Sequence, residues 1–234
     1  MPTGFTPILY IGNRNYSSWS LRAWLCLKWA GIDFEERLIE LDQDGYGEGR
    51  IADLLAVTPA GKVPALTLGS EMIWDSIAIA EWAAENAGGV CLMPPNTLDR
   101  ARLRSTVGEM HAGFSAVRQE LPMNILRRCV ASGYSVAAKR EIARIDALWQ
   151  SYLARVGNDG GYLMGMRTIA DAFYTPVATR FRTYNIPLSA RAQQYADLLL
   201  ADVAFREWEA NAAADGLKPF SRAHIDGLYL RATT

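Results

Sequence analysis

The stretch "PILYIGNRNYSSWSLRAWLCLKWAGIDFEERLIEL", residues 7–41, decides the fold. Residues 7–12 form a short apolar run, the length of a buried strand. Leu21, Trp24 and Leu25 then recur at helical spacing, and Gly31 stops that helix. "FEERLIEL" (34–41) alternates and reads as a second strand. A helix between two strands implies a crossover. The turn between strand and helix holds Ser17, Ser18 and Ser20, which raises the question of why hydroxyls crowd there.

Outward from this unit, "DQDGYGEG" (42–49) is a Gly- and Asp-rich loop. "RIADLLAV" (50–57) gives about two helical turns before "TPAG" ends them. "VPALTL" (63–68) and "EMIW" (71–74) read as a hairpin turning at Gly69-Ser70. "DSIAIAEWAAENAGG" (75–89) is a helix with Asp at its start and Gly at its end. Residues 1–87 therefore read βαβαββα, a mixed sheet with helices, and the Gly- and Pro-rich "GGVCLMPPNT" (88–97) reads as a linker.

From 98 to 234 the strand signals stop, so the expected architecture is an α/β domain followed by an all-α domain. Leu103, Val107, Met110, Phe114, Val117 and Leu121 form one apolar stripe, predicting a single long helix that Pro122 breaks. A second stripe runs through Ile142, Ile145, Trp149, Tyr152 and Val156. Helices are further predicted over 169–184, 189–202 and 203–214, with the last twenty residues as a tail.

Half of the 234 residues are apolar and 21% are charged, enough to bury a sizeable core. The net charge of −1 lacks the basic excess of a nucleic-acid footprint. No apolar run approaches the roughly 18 residues of a membrane span. "MPTGFTPILY" has neither a positive n-region nor a long h-region, so no signal peptide is expected. Cys26, Cys91 and Cys129 show no CxxC spacing and read as reduced thiols of a cytoplasmic protein. The two histidines, His111 and His224, lie far apart in sequence, and no metal is expected.

Three features could carry chemistry. A helix start stabilises an anion, and the serines there can donate hydrogen bonds to it, although Ser is also a common N-cap. In "TPAGKVPAL" (58–66), Pro64 either opens a strand or forms a cis bond with Val63 that turns the Val63 backbone toward an extended ligand. In "WDSIAIAEW" (74–82), Asp75-Ser76 either caps a helix or holds a ligand, the serine taking a carboxylate and the aspartate an ammonium.

In this order and spacing the pieces resemble the cytosolic glutathione S-transferase superfamily. The resemblance spans nearly the whole chain through "SSWSLRAWLCLKWAGIDFE" (17–35), "TPAGKVPAL", "WDSIAIAEW" and "GYLMGMRTIADAFYTPVATR" (161–180). It implies a thioredoxin-like N-terminal domain that binds glutathione and a helical domain that helps bind a second substrate. It further implies a homodimeric detoxification enzyme, with glutathione as co-substrate and a small electrophile as partner. The "SSWS" turn is similar to the serine-type zeta class with its "SSCS", Trp19 standing in place of the cysteine.

Ser17 is then expected to donate to the thiolate, with Ser18 as second choice, while Ser18 or Ser20 caps the helix. Tyr10 and Tyr16 are further hydroxyls nearby. Lys62 would reach a glutathione carboxylate, Val63 beside Pro64 would pair with its backbone, and Asp75-Ser76 would hold its γ-glutamyl end. Met110, His111 and Phe114 would line the second-substrate pocket. "TIADAF" resembles the family's capping box, Thr168 with Asp171, and Arg167 leaves it without a hydrophobic staple. Peroxide reduction, dehalogenation and isomerisation are alternatives on the same fold, as is a non-enzymatic glutathione-binding module.

Lowering a thiol pKa from near 8.5 by about two units requires roughly 2.7 kcal/mol. One charge-assisted hydrogen bond supplies about 1.5–3 kcal/mol and a helix terminus about 0.3–1 kcal/mol. These suffice without a metal or a protein base, which gives the crowded hydroxyls a task.

Overall fold

The computed structural model describes residues 4–129, 133–157 and 160–216. From 217 onward the expected tail, and His224 within it, lie outside the described residues. Strands β1 (Ile8–Ile11) and β2 (Glu35–Leu38) pair in parallel, Leu9 opposite Glu36, with helix α1 (Ser18–Trp29) crossing between them. Gly31 ends that crossover helix at φ +68. Helix α2 (Ala52–Leu55) is a single turn, shorter than the two expected: Ile51 offers no side-chain cap, and Pro59 follows within four residues.

Strand β3 (Ala65–Leu68) returns antiparallel to β1, Leu9 opposite Leu66, and pairs with β4 (Glu71–Ile73) through the hairpin. The sheet order is β2-β1-β3-β4, and helix α3 (Ser76–Glu85) follows. Leu9 and Ile11 are fully buried on β1, and α1 buries nearly every residue, because it is wedged against both α3 and the helical half. Gly61, at φ +57, brings the "TPAG" turn against the glycine loop: a Cβ there would lie 2.0 Å from the Gly49 carbonyl oxygen.

The helical half begins with α4 (Thr97–Ala112), capped by Asn96. The single helix predicted through Leu121 is interrupted at Gly113, which is extended, and Phe114, which is left-handed at φ 58. A short helix α5 (Ser115–Glu120) then stops before Pro122. Arg118 stabilises the break by donating from Nε to the Gly113 carbonyl at 3.0 Å and from Nη2 to the Met110 and His111 carbonyls, the open end of α4. The apolar stripe stays continuous because Phe114, Val117 and Leu121 all reach the same core.

Helices α6 (Val136–Val156), α7 (Ile169–Thr183), α8 (Ala190–Ala201) and α9 (Val203–Ala214) complete the described part. No helix among the described residues is long and apolar enough to cross a membrane. Helix α7 is buried along almost its whole length and packs on α1 as well as on α4 and α8. Its start is fixed by the expected capping box. The Asp171 carboxylate accepts from the Thr168 N–H at 2.7 Å and hydroxyl at 3.0 Å, and also from the Tyr195 hydroxyl at 2.8 Å.

Candidate functional site

The β1–α1 turn sets the serines one residue earlier than their expected roles. Helix α1 starts at Ser18, so Ser17 is its N-cap, and the Ser17 oxygen accepts from the Ser20 N–H at 3.4 Å. Ser17 Oγ also lies 2.8 Å from Ser20 Oγ, which takes the Gly12 N–H at 3.0 Å. The expected cap, Ser18 or Ser20, is therefore corrected to Ser17, the residue immediately before the first helical one. Ser18 instead accepts from Arg180 Nη2 at 3.2 Å.

Ser17 and Ser18 line a cavity of about 810 Å³, within the usual size of a small-molecule site. Tyr16 and Trp19 flank them, and Tyr46 lines it from the glycine loop. Lys62, Val63 and Pro64 form another part of the wall, and the Val63–Pro64 peptide is cis. Val63 precedes the sheet ladder, which begins at Ala65. Asp75 lines the cavity and caps α3, accepting from the Ile77 N–H at 2.9 Å. Ser76 is fully buried, its hydroxyl has no partner among the described residues, and its side chain is not part of the cavity wall. Tyr10 does not line the cavity either.

The helical half supplies His111, Arg118, Met123 and Arg180 to the same cavity. His111 Nε2 lies 3.3 Å from Asp75 Oδ2, and its ring meets Trp19 edge-on at 5.0 Å. Burial, with Arg22 and Arg118 nearby, holds the His111 imidazole below its ordinary pKa against the pull of Asp75. Met110 and Phe114, expected in the pocket, are instead buried in the core: the turn at Gly113 leaves only His111 of the three facing the cavity.

Arginines were not singled out in the sequence, yet they dominate the local charge. Arg118 sits 4.9 Å from the Trp19 ring, and burial lowers its pKa. Arg22 lies between Trp19 at 4.4 Å and Phe173 at 4.8 Å, fully buried, and none of its three nitrogens has a hydrogen-bond partner among the described residues. Burial first, then repulsion from Arg118 and Arg180, pushes the Arg22 pKa well down. Three guanidinium groups thus place a positive field beneath the serine turn, which favours an anion in the cavity. Nothing in the local pattern marks them, although Arg22 and Arg180 both fall inside stretches quoted above. Among the described residues no cluster of three or more His, Cys, Asp or Glu is placed to hold a metal.

Residues 16–86 match the family described as glutathione S-transferase, N-terminal domain. A maleylacetoacetate isomerase of Pseudomonas aeruginosa is 29% identical over 85% of this chain and 93% of its own length. The solved structure of a maleyl pyruvate isomerase, a bacterial zeta-class glutathione S-transferase, superposes with a TM-score of 0.69 at 21% identity, covering 90% of this chain and 100% of that one. A glutathione transferase homolog from Burkholderia with bound glutathione gives 0.67 at 18% identity, over 91% and 100%. The two structures share the fold.

Proposed function

Because the chain belongs to the cytosolic glutathione S-transferase superfamily, near its zeta class, we propose that it is an enzyme that holds glutathione as a thiolate and directs it at a small electrophile. One observation carries the reading. Ser17, Ser18, Lys62, Val63, Pro64 and Asp75, far apart in sequence, line a single cavity of ligand size. In this reading residues 1–87 bind glutathione, 88–97 link, and 98–234 supply the second-substrate side.

The thiol faces the Ser17/Ser18 turn, the glutathione backbone runs along Val63 beside Pro64, and Lys62 reaches a carboxylate. Asp75 takes the γ-glutamyl ammonium, and Ser76 contributes its N–H at the start of α3. The thiol proton leaves to solvent. The serine hydrogen bond and the positive field hold the anion, so the chemistry calls for no metal. The protein acts as a cytoplasmic homodimer, in detoxification, with neither nucleic acid nor membrane as partner.

A second reading, glutathione-dependent isomerisation, is favoured by Arg118 and Arg180 in the cavity wall, which suit an electrophile bearing carboxylates. In it the thiolate adds to a C=C bond, the resulting single bond rotates, and the thiolate departs unchanged. The test is calorimetry with glutathione, followed by turnover of a panel that includes neutral electrophiles and maleylacetoacetate. Binding with conjugation of neutral electrophiles supports the first reading, and turnover confined to the unsaturated dicarboxylate supports the second. No binding at millimolar glutathione refutes both.

A further inference from the structure

We propose that Arg180 is a positioning residue that makes Ser18 the hydrogen-bond donor to the glutathione thiolate. The inference rests on the glutathione-binding reading above and assigns the division of labour within the serine turn.

A serine hydroxyl has one proton to give and two lone pairs to receive with. The Ser18 oxygen receives Arg180 Nη2 at 3.2 Å, and the Ser18 hydroxyl makes no other hydrogen bond among the described residues. With a lone pair turned to the guanidinium, the proton is directed elsewhere, and the side chain lines the cavity. A cation on the oxygen also polarises the O–H bond and strengthens it as a donor.

Arg180 itself is held firmly. Its Nε donates to the Leu121 carbonyl at 2.9 Å, where α5 has ended, and its Nη1 donates to the Pro176 carbonyl on α7 at 3.0 Å. The group is 4% exposed. Anchored at two nitrogens by two separate elements, the planar fork presents the third to Ser18 in a fixed direction. Ser17 is differently employed: its oxygen accepts from the Ser20 N–H as the N-cap and lies 2.8 Å from the Ser20 hydroxyl, where either oxygen can be the donor, so Ser17 is tied to the helix start while Ser18 is tied to Arg180. Ser18 keeps its own proton throughout. The thiol S–H bond breaks, its proton passes to solvent, and the thiolate accepts the Ser18 O–H hydrogen bond.

The experiment is ultraviolet titration of bound glutathione in the full chain. The variants are Ser18→Ala, Arg180→Lys, Arg180→Met and the double Ser18→Ala/Arg180→Lys, each with glutathione affinity and melting temperature measured alongside. Ser18→Ala is expected to raise the thiol pKa in the complex by about one to two units, the loss of one charge-assisted hydrogen bond. Arg180→Met is expected to raise it by less, and Arg180→Lys, which keeps the charge, by less again. The double variant is expected to match Ser18→Ala, because the arginine acts through the serine.

Additive effects of the two sites would overturn the proposal, as would an unchanged titration in Arg180→Lys and Arg180→Met variants that still bind glutathione. Should Arg180→Met fail to fold, Arg180→Lys and the double variant decide. Failure of the wild type to bind glutathione is a separate result, which removes the functional reading and this inference with it.

Discussion

Replacing Asp171, whose carboxylate starts α7 and so sets the helix that carries Arg180, is expected to be among the most damaging single changes in the chain. The side chain is fully buried and accepts from the Thr168 N–H, the Thr168 hydroxyl, the Tyr195 hydroxyl and, at 3.4 Å, the Leu163 N–H. Asp171→Ala strands three close donors in the interior. Each stranded group costs about 1–3 kcal/mol, and a shared network is less than additive, so the loss is about 4 kcal/mol. At about 2–4 °C per kcal/mol for a chain of this size, the melting temperature falls by about 8–16 °C.

Burial pushes the Asp171 pKa up to about 6 despite these donors. A carboxyl that holds its proton more tightly when folded stabilises the fold below its unfolded pKa and loses that contribution as pH rises through the folded value. Between about pH 4 and pH 6 the wild type therefore loses about 2–3 kcal/mol that Asp171→Asn does not, and the stability gap between the two narrows by that amount. Urea unfolding of the three proteins across that range measures both effects. A loss under about 1 kcal/mol in Asp171→Ala, or a gap between wild type and Asp171→Asn that stays flat with pH, would refute the reasoning.

Ser17→Ala, which removes the α1 cap, is expected to cost about 0.5–2 kcal/mol in thermal denaturation while bound glutathione still ionises near its wild-type pH. Asp75→Ala is expected to weaken glutathione binding by roughly 10- to 150-fold in calorimetry, through loss of a charged contact, against about 1 kcal/mol of stability for the lost cap. Arg118→Met is expected to raise KM for a carboxylate-bearing electrophile several-fold in steady-state kinetics, and also to lower the melting temperature, because the carbonyls at the open end of α4 lose their donor. Light scattering is expected to give twice the 25.9 kDa chain mass at micromolar concentration, and a single-chain mass there would count against the two-fold assembly.

The sequence by itself determined what local rules govern. Apolar periodicity marked β1, α1 and the long helices, and Gly31 marked an end, because helix and strand are decided by backbone bonds spanning a few residues. The capping box of Thr168 and Asp171 was equally legible, since both partners lie within one turn. The order of "SSWS", "TPAGKVPAL" and "WDSIAIAEW" carried the resemblance to the glutathione S-transferases, and the ligand came with that resemblance.

Which serine caps was not legible, because a shift of one residue in the start of α1 moves the cap between Ser17 and Ser18. Nor was the break at Gly113, for it depends on Arg118 reaching back to the end of α4, and that break is what leaves His111 at the cavity and puts Met110 and Phe114 in the core. Only the tertiary structure brought Arg22, Arg118 and Arg180 together, from α1, α5 and α7. A buried arginine has no local signature: it is tolerated where distant elements provide carbonyls, aromatic faces or a hydroxyl, and those neighbours exist only once the two halves of the chain have packed.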